Sequence, residues 1–190
     1  MAKRVLVLID EANVSASAHD LDLEVDWRAL QTALVRPMDG RECIETVVYT
    51  GLPPLMDGYE QQRQVKEDFV FWLRTQGFLV VTQEGAPREG GRYKSNLDVY
   101  MAVDAVDLSV EIHPDVVVLC TGDADFSHLA LRLRRRGIRV EVAAARDALS
   151  SRLRSSANQA IALDEVIAKF PAEGESSRAY TLAGRDGQTR

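Results

Sequence analysis

The sequence predicts an α/β protein with three layers, in which helices cover both faces of a mostly parallel central sheet. Short apolar runs, typical of strands buried on both faces, alternate along the chain with longer segments of helical periodicity. This alternation is typical of βαβ units, which place successive strands parallel. With 190 residues and 46% hydrophobic content, the chain has the size and composition of one compact domain.

The strands are predicted from short aliphatic and β-branched runs that end at glycine, proline or acidic positions. The first run, R-V-L-V-L-I, stops at Asp10, and the fourth, V-V-V-L-C, stops at T-G-D. The small, polar segment 11–18 is predicted as a loop that leaves the first strand and crosses a cleft. The predicted strands are, in order, residues 4–9, 43–50, 78–82, 116–120 and 138–142, with a weak last strand or turn at 160–166.

Helices are predicted where apolar residues recur three or four positions apart. Leu97, Met101, Ala105 and Leu108 recur in this way, and Pro114 follows the end of their segment. The predicted helices are, in order, residues 26–35, 58–76, 95–111, a segment from the acidic turn at 123–125 to 137, and 148–158.

Two segments fall outside this regular pattern. Residues 84–94 contain three glycines and a proline, which predicts an irregular, mobile loop, and this loop carries the basic residues Arg88, Arg92 and Lys94. Residues 169–190 are polar and poor in apolar side chains, which predicts a flexible tail after a domain at residues 1–168.

The net charge of −6 argues against a generic nucleic-acid coat protein, which would need a strongly basic surface, but not against a nucleic-acid enzyme. Because the chain shows no signal-peptide core and no apolar run as long as a membrane span, we expect a cytoplasmic protein without membrane contact. Cys43 and Cys120 lie in predicted strands, and we expect buried thiols rather than a disulfide or a metal site.

Acidic residues follow the first and fourth predicted strands. In a parallel sheet the residues beyond the carboxyl ends of the strands line the crevice where ligands bind, so Asp10, Asp123 and Asp125 are candidates for chemistry. Asp is also a preferred helix N-cap, and on these residues alone capping is about as good an interpretation for Asp123 or Asp125. One cap does not require two carboxylates.

Asp98 and Asp104 lie on the helix that leads into the fourth strand. Ser95 and Asp98 have the S-x-x-[DE] spacing, so Ser95 is a candidate N-cap and Asp98 a candidate first-turn acid, which competes with a metal role for Asp98. Asp104 is six positions further on, about 240° around a regular helix, so at most one of the two carboxylates can point into a site.

Three or four carboxylates that meet in one crevice need a cation to remain ionised together. Hard oxygen ligands in that number, without a nearby cluster of His or Cys, suit Mg²⁺ or Mn²⁺. If the first and fourth strands are neighbours where the strand order reverses, Asp10, Asp98 and Asp123 can form such a site.

Three motifs together resemble the NYN domain, a relative of the PIN nucleases that includes the LabA or DUF88 group of bacterial proteins. These are D-E-A-N at residues 10–13, Lys94 with Asp98 at a helix start, and T-G-D-A-D-F at residues 121–126. The resemblance covers about residues 4–166. This chain departs from the family pattern at residues 95–97, between the Lys and the Asp, and at Asn158, where an acid is common.

The resemblance implies a PIN-like fold with strand order 3-2-1-4-5 and a metal-dependent ribonuclease site. In that site Asp10 and Asp123 are the principal Mg²⁺ or Mn²⁺ ligands, Asp98 is a further ligand or base, and Asn13 and Asp125 lie beside them. The remaining expectations concern outer residues of the site, Asp104 and Ser127, and phosphate contacts from Lys94, Arg92 and Arg88. The expected partner is RNA, most readily single-stranded, and the sequence leaves a homo-oligomeric state open.

Other functions share parts of this pattern. A non-catalytic RNA-binding or regulatory adaptor would keep the same fold and is the main rival. A phosphotransfer protein also places acids at strand ends, but no D-x-D-x-[TV] follows the first strand. A nucleotide-binding module is weaker still, because no G-x-G-x-x-G or Walker loop follows any predicted strand. The arginines at residues 132–136 are candidates for phosphate contacts, although a solvated helix face that complements the helix dipole at its C-terminus explains them better.

Overall fold

The structure, a computed structural model, describes residues 1–169. Its strands are, in chain order, β1 (Lys3–Asp10), β2 (Arg41–Leu52), β3 (Leu79–Glu84), β4 (Ala86–Pro87), β5 (Tyr93–Lys94), β6 (Val116–Cys120), β7 (Arg139–Ala144) and β8 (Gln159–Ala162). Six of them form one sheet in the order β3-β2-β1-β6-β7-β8, and every neighbouring pair in this sheet is parallel. The other two, β4 and β5, form a separate antiparallel hairpin.

Helices cover both faces of the sheet, and this confirms the three-layer prediction. They are α1 (Glu11–Asp20), α2 (Trp27–Val35), α3 (Glu60–Thr75), α4 (Asp98–Glu111), α5 (Ser127–Arg134), α6 (Ser151–Ser156) and α7 (Leu163–Lys169). One face packs against α1, α2, α3 and α7 through buried residues such as Val14, Leu34 and Leu73. The opposite face packs against α4, α5 and α6, where Met101 and Leu133 are buried.

The predicted strand order 3-2-1-4-5 holds for the five principal strands, and β8 adds a sixth strand at the edge beside β7. The weak last element at residues 160–166 is thus a short strand followed by α7. β1 and β6 are neighbours, with Ile9 opposite Cys120. Because the chain extends to one side of β1 first and to the other side later, the strand order reverses between β1 and β6.

The prediction of a loop at residues 11–18 was wrong, because β1 passes directly into α1. The Asp10 side chain accepts a hydrogen bond from the Ala12 N–H and caps the helix. Val14 and Ala18, one turn apart, are fully buried against the sheet. Most helical stability in proteins comes from such packing, so this ten-residue segment, too short to be stable as an isolated helix, is helical because it packs on the sheet.

The segment at residues 84–94 is also more regular than predicted. Its turn is closed by the Arg88 N–H, which donates to the Arg92 carbonyl at 2.7 Å, and Gly90 and Gly91 adopt positive φ there. The Tyr59 hydroxyl donates to the Arg92 carbonyl at 2.7 Å and ties the hairpin to the start of α3. Glycines that suggested irregular structure serve here as turn residues.

Three further expectations differ from the structure or lie beyond it. Cys120 is buried as predicted, but Cys43 is exposed, because the first residues of β2 are only partly covered. The predicted tail, apart from Lys169 at the end of α7, lies outside the described residues. Among residues 1–169, no helix is both long enough and apolar enough to cross a membrane.

Candidate functional site

The predicted carboxylates lie at the same edge of the sheet, where the strands end. Asp10 is the last residue of β1, and Asp123 follows the end of the neighbouring β6. Asp98 is the first residue of α4, and Asp125 lies in the turn before α5. We refer to these four residues as the acidic cluster. Their placement follows from parallel topology, which brings the carboxyl ends of β1 and β6 to one edge.

Local hydrogen bonds hold two of these side chains in place. The Asp10 Oδ1 accepts from the Ala12 N–H at 3.1 Å, and the Asp123 Oδ1 accepts from the Asp125 N–H at 2.8 Å. Asp123 is therefore a cap, as one interpretation of the sequence held. Each of these bonds uses only one carboxylate oxygen, so a capping role and a ligand role are compatible. By contrast, Ser95 does not cap α4, since Leu97 precedes the first residue and no side chain bonds to the helix start.

A close backbone approach makes glycine necessary beside Asp123. A Cβ atom at Gly122 would collide with the carbonyl of Ala148. The Ser150 N–H donates to the Gly122 carbonyl at 3.0 Å and fastens the loop after β7 to the end of β6. The glycine of the T-G-D sequence thus serves packing, because it lets the loop after β7 support the turn that carries Asp123.

The electrostatics show that the acids influence one another. Burial raises the pKa of Asp10 to about 6, and the charges of Glu11 and Asp98 add to the rise against the opposing hydrogen bonds from the Asn13 and Ala12 N–H groups. Partial desolvation also raises the pKa of Asp98, together with the charges of Asp123 and Asp125. Burial and neighbouring negative charges both disfavour the ionised form of a carboxyl group, and both act in this cluster.

Other predicted residues lie at different distances from this cluster. Lys94 is close enough to Asp98 to oppose the rise in its pKa. Asn13 lies in the first turns of α1, half-buried. The two arginines of the β4–β5 hairpin, Arg88 and Arg92, are exposed, and their backbone groups close its turn.

The two predicted outer residues have structural partners. Asp104 accepts a hydrogen bond from the Tyr49 hydroxyl at 3.0 Å, two turns along α4 from Asp98. The Ser127 hydroxyl is buried and donates to the Ala124 carbonyl at 2.5 Å, which stabilises the turn before α5. These contacts give both residues a role in holding the fold.

One charged pair beside the cluster was not predicted from the sequence. Glu11 is buried next to Asp10, and its carboxylate accepts from Lys66 Nζ at 2.6 Å and from the Thr50 hydroxyl at 2.9 Å. Burial alone would raise the pKa of Glu11, but Lys66 and the hydroxyls of Ser15 and Thr50 outweigh that effect and lower it. The ion pair joins residues 55 positions apart. The only sequence signal was a second acid directly after Asp10.

The donor set of the acidic cluster fits a hard divalent cation, although its side chains are spread apart. Among residues 1–169, no three His, Cys, Asp or Glu side chains are grouped closely enough to hold a metal ion as they stand. The available donors are carboxylate oxygens, which Mg²⁺ and Mn²⁺ prefer, and the charge of Asp98 adds to the burial that raises the pKa of Asp10.

Comparison with known proteins agrees with this architecture. Among solved structures, a protein of unknown function, VPA0982, from Vibrio parahaemolyticus RIMD 2210633 is 24% identical, covers 87% of this chain and 95% of its own, and superposes with a TM-score of 0.62, a likeness of fold alone. An isochorismatase-like hydrolase from Alkaliphilus metalliredigens, 14% identical over 89% of this chain and 100% of its own, reaches a TM-score of only 0.37 and supports no argument.

A search of curated proteins finds no significant match. The model of one family, described as the NYN domain, matches residues 4–164. This match covers most of the chain and includes Asp10, Asp98 and Asp123. The chain therefore belongs to the NYN domain family, whose fold is PIN-like.

Proposed function

We propose that this NYN domain protein, as a member of the LabA or DUF88 group, is a Mg²⁺- or Mn²⁺-dependent ribonuclease that hydrolyses phosphodiester bonds of RNA. The observation that carries the proposal is the acidic cluster at the point where the strand order reverses, in which partial burial and the charges of Asp123 and Asp125 raise the pKa of Asp98. NYN domains are generally nucleases, so a hydrolase acting on nucleic acid is plausible from family membership alone.

Each residue of the cluster has a role in this proposal. Asp10, Asp98 and Asp123 would hold the cation, with Asp125 as an outer carboxylate or a ligand of a second ion. A bound cation would shield the phosphate oxygens and lower the pKa of a water. Asp98, at the exposed start of α4, would also accept a proton from the attacking water. Asn13 would orient a neighbouring carboxylate or phosphate through its amide.

Cationic side chains next to the cluster suit an anionic substrate. Lys94 lies close to Asp98, and the exposed Arg92 and Arg88 extend from the same hairpin. These three residues are the proposed phosphate contacts for a single-stranded RNA in the cytoplasm. The hairpin is fastened to α3 by Tyr59, which supports a fixed wall of the RNA site rather than a closing lid.

The test is cleavage of a short single-stranded RNA by the purified protein, with Mn²⁺ or with EDTA. We expect cleavage only with the metal. A non-catalytic RNA-binding adaptor is the second candidate, favoured by the lack of three converged acids among the residues that the structure describes. Metal-independent RNA binding without cleavage at any Mn²⁺ or Mg²⁺ concentration would establish that alternative.

Metal binding should raise the stability of the folded protein. Because the ion binds the folded cluster and not the unfolded chain, a concentration about 100-fold above Kd should add about 2.7 kcal/mol. For a domain of this size that is a rise of roughly 5–10 °C in Tm. Calorimetry with Mn²⁺, against NaCl at equal ionic strength, measures it. A Tm unchanged at millimolar Mn²⁺ in the wild-type protein would contradict a metal site in this cluster.

Metal binding should also depend on pH. The pKa of Asp10, raised to about 6, means that this carboxyl is protonated in the folded protein below that pH, and a proton competes with the cation for the same oxygens. The apparent Mn²⁺ affinity should therefore fall by about tenfold per pH unit below pH ~6 and level off near pH ~7. Titration calorimetry at several pH values measures the slope. A profile that stays flat down to pH ~5 would remove Asp10 from the ligand set.

A further inference from the structure

The outer surface of α5 and α6 carries arginines that the acidic cluster does not use. They are Arg132, Arg134, Arg135 and Arg136 on and just after α5, and Arg152 and Arg154 on α6. Neither residues 126–140 nor residues 148–163 contain an acidic side chain. In a chain with a net charge of −6, this is a strong local concentration of positive charge.

Two of these arginines are structural. Arg134 Nη1 donates to the Ser156 carbonyl at 2.8 Å and joins α5 to α6. Arg136 Nη1 donates to the Ser109 hydroxyl at 2.7 Å and joins α5 to α4. Arg132 and Arg135 differ, because both are exposed and, within residues 1–169, no carboxylate forms an ion pair with either.

These free cations lie on one helix face that begins at the acidic cluster. His128, Leu131, Arg132 and Arg135 have the spacing i, i+3, i+4 and i+7 and, with Arg134, line a shallow depression of about 430 Å³. His128, the first of these lining residues, lies three positions after Asp125. At a rise of 1.5 Å per residue, the face extends roughly 10 Å along α5 from His128 to Arg135.

We propose that this face of α5, extended by α6, binds the backbone of the single-stranded RNA that enters the acidic cluster. The inference rests on the proposed function and adds the path of the substrate. Arg132 and Arg135 would bind successive phosphates, and Leu131, which is 45% exposed on the same helix face, would contact a ribose or base. Complementing the dipole of α5 needs only a cation in its last turn, so it does not explain the arginines of α6 or the absence of acids from both segments.

The test is RNA binding without catalysis. Fluorescence anisotropy of a labelled oligouridylate of about twelve nucleotides, in EDTA and at several salt concentrations, compares wild type with Arg132→Ala/Arg135→Ala. We expect the double variant to bind about tenfold more weakly and its salt slope, log K against log salt, to fall by about 1.4, because two phosphate contacts are lost.

Two further variants control for charge and folding. Lys3→Ala/Arg28→Ala removes the same two charges from exposed positions that do not adjoin the acidic cluster and should bind RNA like wild type. Arg132→Lys/Arg135→Lys keeps the charges and should restore binding. Wild-type affinity and salt slope in Arg132→Ala/Arg135→Ala would overturn the proposal, as would equal losses in the two alanine pairs. The proposal would also be overturned if Arg132→Ala/Arg135→Ala lost affinity for an acidic polypeptide but kept its affinity for RNA, because the face would then be a protein-binding surface.

The same experiment separates the path from the proposed function. Loss of RNA binding in Arg132→Ala/Arg135→Ala, in a protein whose wild type never cleaves RNA with Mn²⁺, would support this path and refute the ribonuclease. Cleavage by wild type with unchanged binding by the variant would support the ribonuclease and refute the path.

Discussion

Replacing Asp123 by asparagine should lower metal-dependent RNA cleavage by at least about a thousandfold and leave the metal-free protein as stable as wild type, or more stable. Asparagine is as good an N-cap as aspartate, so the bond from the Asp125 N–H to the Asp123 side chain is kept. The charge that raises the pKa of Asp98 is removed, which relieves repulsion in the apo protein. Single-turnover cleavage and thermal unfolding, both with and without Mn²⁺, measure the two effects.

Asp26→Asn is the matched control for this prediction. Asp26 caps α2 through bonds from the Arg28 and Ala29 N–H groups, but its charge does not contribute to the raised pKa of Asp10 or Asp98. This variant should retain both cleavage and stability. If Asp123→Asn also cleaves RNA normally, Asp123 is a cap alone. If it unfolds readily, the carboxylate is needed for the fold and its catalytic role is unsupported.

Replacing Glu141 by glutamine should destabilise the fold by about 3 kcal/mol, the usual cost of breaking a buried ion pair. The Glu141 side chain is fully buried in β7 and accepts hydrogen bonds from Arg41 at 3.0 and 3.1 Å, from Arg139 at 2.7 Å and from Arg36 at 2.5 Å. Glutamine is close to glutamate in shape, but it removes the carboxylate that pairs with Arg41 and Arg139 and leaves Arg36 paired only with Asp39, at 3.8 Å. Chemical denaturation at neutral pH measures the loss.

The same contacts predict how this loss depends on pH. Burial alone would raise the pKa of Glu141, but the bonds from Arg41 and Arg139 and the charge of Arg36 outweigh it and lower the pKa to about 2, against 4.5 for a free Glu. Because its pKa is lower in the folded than in the unfolded protein, Glu141 stabilises the fold above pH 4.5. This stabilisation is lost as the pH falls toward 2. The difference between wild type and Glu141→Gln should therefore shrink across that window.

Glu165→Gln provides the comparison for the buried ion cluster. Glu165 pairs with Arg146, and both side chains are more than 60% exposed, so this variant should lose less than about 1 kcal/mol and show little pH dependence. Equal losses in the two variants would mean that burial does not strengthen the Glu141 cluster.

The sequence by itself determined the layered architecture and the edge that carries the acids. The run R-V-L-V-L-I and the run V-V-V-L-C are apolar on every residue but the first arginine, a pattern typical of strands buried on both faces. Once the strands are parallel, the residues after them share an edge, so Asp10 and Asp123 could be placed together without a structure. Periodicity and chain order, which are local properties, carry that information.

Local properties did not determine which short segments become regular. The polar segment after Asp10 has weak helical signals of its own, and it forms α1 because Val14 and Ala18 have a sheet to pack on. Glycines such as those of residues 84–94 fit both irregular loops and tight turns. Here they form the turn of a hairpin, and the hydrogen bond from the Tyr59 hydroxyl anchors that hairpin. In both cases burial or anchoring by distant residues selected between conformations that the local sequence allows.

Only the tertiary structure decided the pairing of buried charges and the spacing of the acids. Glu141 meets Arg41 across 100 positions of sequence, and Glu11 meets Lys66 across 55. No local pattern encodes such pairs, because a charge is stable in the interior only when the fold delivers its partner. The spacing of the acidic cluster also depends on the tertiary structure. The sequence brings its carboxylates to one edge, but the packing of α4 and of the turn before α5 sets how far apart they stand.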